Sequence, residues 1–175
     1  VKVLVTGGVR SGKSRHAEAL VGERAATYVA PGPTPQEQDD PDWTARIEAH
    51  RQRRPAAWTT RETRDVAGAL TSADRPVLVD CLGTWLTGLL DEEQAWEQPT
   101  EAVTDLVETR LDAVAAAVRA CPHDVVVVTN EVGLGVVPEH RSGRLFRDLL
   151  GTANQRVAAA CDEVHLVVAG RVLRL

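Results

Sequence analysis

Methionine is absent from the 175 residues, an initiator included, so Val1 carries no functional message. Cysteine is sparse: Cys81, Cys121 and Cys161 stand alone among apolar neighbours, in an odd number. That excludes a disulfide frame or a zinc site and suggests buried thiols in a reducing compartment. No apolar run reaches the ~20 residues of a membrane span. The opening VKVLVTGG has no long apolar centre of a secretion signal and reads as a strand. We therefore expect a cytoplasmic protein with no membrane span. Basic excess is lacking as well: a net charge of −5 argues against nucleic acid as a partner.

What is present suffices for one folded unit. A chain of this length buries a sizeable core without staples, and residues 1–175 read as a single domain. Helical and extended patterns alternate. Lys2–Thr6, Thr27–Ala30, Pro76–Asp80 and Asp124–Thr129 read as strands, the last two nearly continuous in apolar residues. Such runs suit a parallel sheet covered on both faces. Ser14–Arg24, Glu101–Ala120 and Arg141–Ala160 read as helices; in the second, Val103, Leu106, Val107, Leu111 and Val114 recur at helical spacing. Val164–Val168 and Val172–Leu175 flank Ala169-Gly170-Arg171 and predict a terminal hairpin. The order predicts a three-layer α/β fold with a mostly parallel sheet, of the P-loop NTPase (RecA-like) kind. The stretch from Pro31 to Pro41 holds four prolines and three acidic residues. It reads as a mobile surface loop within the domain.

Gly7-Gly8-Val9-Arg10-Ser11-Gly12-Lys13-Ser14 matches G-x-x-x-x-G-K-[ST] in full. Glycines let the backbone curl until successive N–H groups point at phosphate oxygens. Lys13 brings charge to the β- and γ-phosphates, and the Ser14 hydroxyl is a ligand for Mg²⁺. The helix that follows aims its positive end at the same anion. A strand before the loop and a helix after it supply the context this motif requires.

Sites of this kind hold Mg²⁺ with a second, acidic residue on a neighbouring strand. Asp80, at the end of Val77-Leu78-Val79, fits that role; the alternative is a plain cap on the helix beginning near Gly83. Asn130 and Glu131 follow the other apolar strand, where open α/β sheets bind ligands. Trp43–Arg54 reads WTARIEAHRQRR. As a helix it places Arg46, His50 and Arg53 or Arg54 on one face. Neighbouring positive charge should lower the His50 pKa and keep the imidazole neutral and nucleophilic. The arginines suit bidentate contacts with phosphate. By residue type alone, however, His50 reads as a solvated surface histidine, as do His16, His123, His140 and His165. Trp58 reads as core.

Four stretches carry a resemblance: LVTGGVRSGKSRHAEAL (4–20), RIEAHRQRRPAAWTT (46–60) with Glu62, VLVDCLGTWLTGLL (77–90), and VVVVTNEVGLGVVPEHRSGRLFRDLLGTANQRVAAACDEVHLVVAG (125–170). Over nearly its whole length the chain resembles the bifunctional adenosylcobinamide kinase/adenosylcobinamide-phosphate guanylyltransferases. The resemblance implies two reactions. One phosphorylates the hydroxyl on the aminopropanol arm of adenosylcobinamide, with ATP or GTP as donor. The other moves GMP from GTP onto that phosphate. His50 would carry GMP covalently, reversing the surface reading. Nucleotide contacts would fall on Gly7–Ser14, on Pro31, Gly32 and Pro33, on Arg51, Gln52, Arg53 and Arg54, on Glu62 and on Asp80.

This chain departs from the pattern at three places. Pro31-Gly32-Pro33 stands where hydroxyl-bearing residues are usual, Asp40-Pro41-Asp42-Trp43 replaces D-x-E-M, and Asp80 is shorter than the usual glutamate. None removes a reacting group. With aromatics at only 3%, one chain has little material for a stacking cage around a corrin ring. That points to a subunit interface, and the resemblance suggests a homo-oligomer, a trimer. Two rivals stand beside this reading: a plain small-molecule kinase, using ATP and forming no covalent GMP, and a non-enzymatic nucleotide switch.

Overall fold

The computed structural model describes residues Val1–Leu175. Strands and helices follow in the order β1 (Lys2–Gly7), α1 (Lys13–Val21), β2 (Ala26–Ala30), α2 (Pro41–Gln52), β3 (Trp58–Glu62), α3 (Val66–Thr71), β4 (Val77–Asp80), α4 (Leu82–Glu92), α5 (Thr100–Ala120), β5 (Val125–Val128), α6 (Arg141–Ala158), β6 (Glu163–Val168) and β7 (Arg171–Arg174). All seven strands join one sheet in the order β3-β2-β4-β5-β1-β6-β7. Every pairing is parallel except that of β6 with β7. The final pair is the expected hairpin; Ala169 and Gly170, with φ of 50° and 75°, make its two-residue turn.

Helices cover both faces, so alternate residues of each strand enter different cores. Leu4, Val29, Val77, Val79, Val125 and Val127 pack with residues of α3, α4, α5 and α6. Val3, Val5, Tyr28, Leu78, Val126 and Val128 pack on the other side, with Ala17 and Val21 of α1. Trp58 joins this second core as expected, its ring stacked on that of Tyr28.

Two elements lie outside the sequence expectation. Strand β3 buries only Trp58, so the apolar run that marked the other strands is missing. Helix α3 has six residues, too few to display a period. Helix α1 also ends earlier than expected, because Gly22, at φ 68°, closes it. The proline-rich stretch is shorter than expected, because Pro41 is already the first residue of α2. Asp40 caps that helix, accepting from the N–H groups of Asp42 and Trp43 at 2.9 and 3.4 Å. The loop is also tethered: Glu37 pairs with Arg64 at 3.1 Å, and Arg64 reaches Glu92 of α4 at 2.9 Å.

Helix α2 buries none of its residues fully. The strand ends Ala30, Glu62 and Asp80 and one side of α2 face a common space, which places the helix over the carboxyl edge of the sheet. No helix is long and apolar enough to cross a membrane.

Leu111 of α5 is fully buried in the larger core. Leu111→Ala should cost about 2–5 kcal/mol. Urea unfolding followed by circular dichroism measures this.

Candidate active site

The loop between β1 and α1 takes the shape its glycines permit. Gly12 has φ 97°, and Arg10, at φ 55°, is also left-handed. Gly7 is held by crowding: a Cβ there would lie 2.4 Å from the Val167 carbonyl oxygen and 2.7 Å from Ser11 Oγ. Two neighbours brace the loop. The Gly170 N–H donates to the Ser11 carbonyl at 2.8 Å, and the Glu131 N–H donates to the Gly7 carbonyl at 3.2 Å. Lys13 is only 6% exposed, and its ammonium donates to the Gly8 carbonyl at 3.0 Å. Burial lowers its pKa, Cys81 and Asp80 oppose that, and Arg46 adds to it. The side chain is thus a desolvated cation, which acts more strongly on a nearby anion than a solvated one.

Beside the loop lies a cavity of about 280 Å³. Val9 of the loop forms part of its wall; Tyr28, Ala30 and Asp80 come from strands β2 and β4; Gly32 and Pro33 follow β2. Helix α2 turns Trp43, Arg46, Ile47, His50 and Arg51 into it, at the three- and four-residue steps of one helical face. The Trp43 indole N–H donates to the Pro33 carbonyl at 2.9 Å and ties helix to loop.

His50 Nδ1 and Asp80 Oδ2 stand 3.8 Å apart, too far for a hydrogen bond. Both atoms are buried and have no hydrogen-bond partner. The imidazole pKa is lowered, but the arginines are not the main cause. Burial leads; Asp80 then raises it, Arg53 lowers it, Glu18 raises it and Arg46 lowers it. A neutral imidazole therefore faces a carboxylate across a short gap.

The arginines divide. Arg53 turns away from the cavity to pair with Glu18 of α1 at 3.1 Å. Gln52 also stays out and donates to Glu48 at 3.1 Å. Arg51 lines the cavity while paired with Glu62 at 2.5 Å. Arg54 lies 3.3 Å above the centre of the Tyr28 ring and donates to Thr60 Oγ1 at 2.8 Å. Arg46, on the same face as His50, makes no ion pair. The sequence placed it on the His50 face, and it lines the cavity with the imidazole, as Arg51 and Arg54 also do.

Asp80 does not cap α4; Cys81 occupies the cap position. Cys81 is half-buried and packs against the second core, but it also lines the cavity, donates to Asn130 Oδ1 at 3.5 Å, and is pushed up in pKa by burial and then by Asp80. Cys121 is buried as expected and Cys161 half-buried, and all three are free thiols. Asn130 is held in turn by Asn154 of α6, whose amide donates to its carbonyl at 2.9 Å and whose Oδ1 accepts from Thr129 Oγ1 at 2.5 Å. Tyr28, Thr60, Thr84 and Asn154 were not singled out in the sequence. Thr60, Thr84 and Asn154 each lie in a stretch that carries the resemblance, yet no role was assigned to them there; Tyr28 lies outside those stretches. Two histidines that read as ordinary surface residues are not: His165 is buried and joins His16 at 2.9 Å and Glu163 at 2.8 Å.

A glycine-rich loop, a half-buried histidine and a carboxylate thus converge at one sheet edge. The profile of the CobU family, cobinamide kinase / cobinamide phosphate guanyltransferase, matches residues 3–175. The chain belongs to this family. Among its relatives is the bifunctional adenosylcobalamin biosynthesis protein CobU of Escherichia coli (strain K12), 46% identical over 177 residues, with 96% of each chain covered. The protein of the same name from Salmonella typhimurium is 44% identical over 179 residues, again with 96% of each covered. The bifunctional adenosylcobalamin biosynthesis protein CobP of Pseudomonas aeruginosa is 39% identical over 175 residues, covering 95% of this chain and 92% of that protein. Membership brings the two activities that name the family, kinase and guanylyltransferase.

The crowding at Gly7 yields a direct prediction. In Gly7→Ala the new methyl group and the Val167 carbonyl cannot both keep their places, so the loop must shift. Nucleotide affinity should fall by roughly tenfold or more, while the helical signal in circular dichroism is retained. Titration with a fluorescent GTP analogue measures the affinity.

Proposed function

We propose that this chain performs its two reactions in the cavity between the phosphate loop and α2, with His50 as the residue that carries GMP. The observation that carries the reading is the placement of His50: a half-buried, neutral imidazole whose Nδ1 is enclosed beside Asp80, in the wall of the space that the phosphate loop borders. The substrates are adenosylcobinamide and its phosphate, with GTP and ATP as nucleotides, and the process served is cobalamin biosynthesis, as in the named relatives. We read residues 1–175 as one catalytic domain of the P-loop NTPase (RecA-like) class. In support, β1 lies between β5 and β6, so both ends of the chain enter one sheet. The homo-oligomer of the sequence reading, a trimer, remains part of this proposal; light scattering tests it.

In the kinase step, the loop amides and Lys13 hold the triphosphate and spread the charge that develops on the γ-phosphoryl group. The cobinamide hydroxyl oxygen bonds to the γ-phosphorus as the bond to the β,γ-bridging oxygen breaks; the nucleoside diphosphate leaves and the hydroxyl proton passes to solvent. Ser14 and Asp80 are the residues that would hold Mg²⁺. The buried, unpartnered Asp80 Oδ2 fits that ion, and a single carboxylate with a hydroxyl and substrate phosphates is the usual way Mg²⁺ is bound. When bound, Mg²⁺ supplies charge neutralisation between the β- and γ-phosphates.

In the guanylyl step, Nδ1–H of His50 faces Asp80 and leaves the Nε2 lone pair for attack on the α-phosphorus. A nitrogen–phosphorus bond forms, the bond to the β-bridging oxygen breaks, and pyrophosphate leaves. An oxygen of the cobinamide phosphate then attacks the same phosphorus and frees His50. That acceptor is ionised near neutral pH, so it needs no strong base. It needs screening, which Arg46, Arg51 and Arg54 offer from the cavity wall. Helix α2 has no fully buried residue to release, so it can settle over bound nucleotide at low cost.

GTP labelled at the α-phosphate should leave label on the protein that survives alkali and is lost in acid, as a phosphoramidate does. His50→Ala should abolish the labelling and the guanylyltransferase activity and largely spare the kinase. Persistent labelling of that variant would place the nucleophile elsewhere. Because the His50 pKa is lowered, the reactive neutral form persists as the pH falls. The labelling rate should stay level through the ordinary histidine value near 6.5 and decline only below it. A decline centred above that value overturns the assignment of a buried imidazole.

Asp80→Asn keeps size and removes charge. It should raise the magnesium concentration for half-maximal kinase activity by roughly tenfold or more. Magnesium titration at saturating nucleotide reads this directly.

A further inference from the structure

The cavity, at about 280 Å³, lies at the small end of ligand pockets. A nucleotide and the aminopropanol arm fill such a space, and the corrin macrocycle must rest outside its mouth. What lies there is apolar. The segment from β5 to α6 begins with Val132, which lines the cavity, and continues through Leu134, Val136 and Val137, which are 88%, 95% and 59% exposed. Val9 of the phosphate loop is 76% exposed and also lines the cavity. The Glu131–Gly7 hydrogen bond fixes the root of the segment beside the phosphate loop. Its far end is fixed by Arg144, which donates to the Pro138 and Glu139 carbonyls at 3.1 and 2.6 Å. Between these anchors the aliphatic side chains face solvent from a supported backbone, an arrangement that costs solubility unless it serves a ligand.

We propose that Val9, Leu134, Val136 and Val137 form an aliphatic platform for the corrin macrocycle of cobinamide, holding it by its methyl-bearing rim while the aminopropanol arm enters the cavity. The proposal rests on the reading that both reactions occur in this cavity. Its commitment to the macrocycle comes from continuity: Val9 and Val132 belong to both the cavity wall and the apolar rim, so a substrate too wide for the first meets the second. The platform needs no aromatic rings, which agrees with their scarcity in this chain.

The test compares two acceptors in the kinase reaction: adenosylcobinamide, and N-acetyl-1-amino-2-propanol, which has the alcohol but no macrocycle. The variant is the double substitution Leu134→Ser, Val136→Ser, at residues outside the cavity wall. Leu175→Ser, an exposed leucine at the end of the terminal strand, is the control. We expect the KM for adenosylcobinamide to rise roughly tenfold or more in the double variant, the effect of losing about one aliphatic side chain's burial. Turnover of the small acceptor, labelling by α-phosphate-labelled GTP and the Leu175→Ser control should not change. An unchanged KM for adenosylcobinamide overturns the platform. So does an equal loss with both acceptors, which makes the segment a general support of the site. A smaller particle mass in light scattering with an unchanged KM assigns the patch to a second copy of the chain instead. Failure of the wild-type protein to label with GTP strikes the His50 reading and leaves the KM comparison to decide the platform.

Discussion

The site depends on the close packing of β1 between β5 and β6. Gly7 ends β1 so near the Val167 carbonyl that a side chain has no room, and this contact sets where the phosphate loop leaves the sheet. The loop then runs between two backbone anchors, one from the hairpin turn at Gly170 and one from the segment after β5 at Glu131. Lys13, at the head of α1, is thereby held against the loop it follows, away from solvent. That burial is the main cause of its lowered pKa.

Around the loop the protein keeps polar atoms under conditions that are costly in an ordinary core. His50 Nδ1 and Asp80 Oδ2 are buried without hydrogen bonds, and Ser11 Oγ lies in the same condition within the loop. Unpartnered buried polar groups each cost about 1–3 kcal/mol and persist where a site requires them. Here they are offset by two aliphatic cores, one on each face of the sheet, that are filled without help from the site. The cavity stands on the carboxyl edge, and α2 lends it five side chains while burying none of its residues in the core.

Much of this was legible in advance because the physics is local. A glycine pattern followed by Lys and Ser specifies a backbone curl within eight residues, and near-continuous apolar runs specify strands buried on both sides. Strand β3 was not legible, since an exposed edge strand has no hydrophobic requirement to record. Nor could spacing alone choose between Arg53 and Arg54, just past the end of α2. They are adjacent in the chain, but one meets Glu18 of α1 and the other meets the ring of Tyr28. The cause of the lowered His50 pKa was misjudged for a similar reason, because charge can be counted along a helix and burial cannot.

By itself the sequence determined the element types, the parallel sheet, the phosphate loop and a basic helix bearing one histidine, since each is written in residues a few positions apart. Only the tertiary structure decided that His50 meets Asp80, that Arg53 turns to Glu18 while Arg54 meets Tyr28, and that His16 joins a buried His165. These contacts link residues tens of positions apart in the chain. They exist because strand order, set by how both faces of the sheet are covered, brings those positions to one edge.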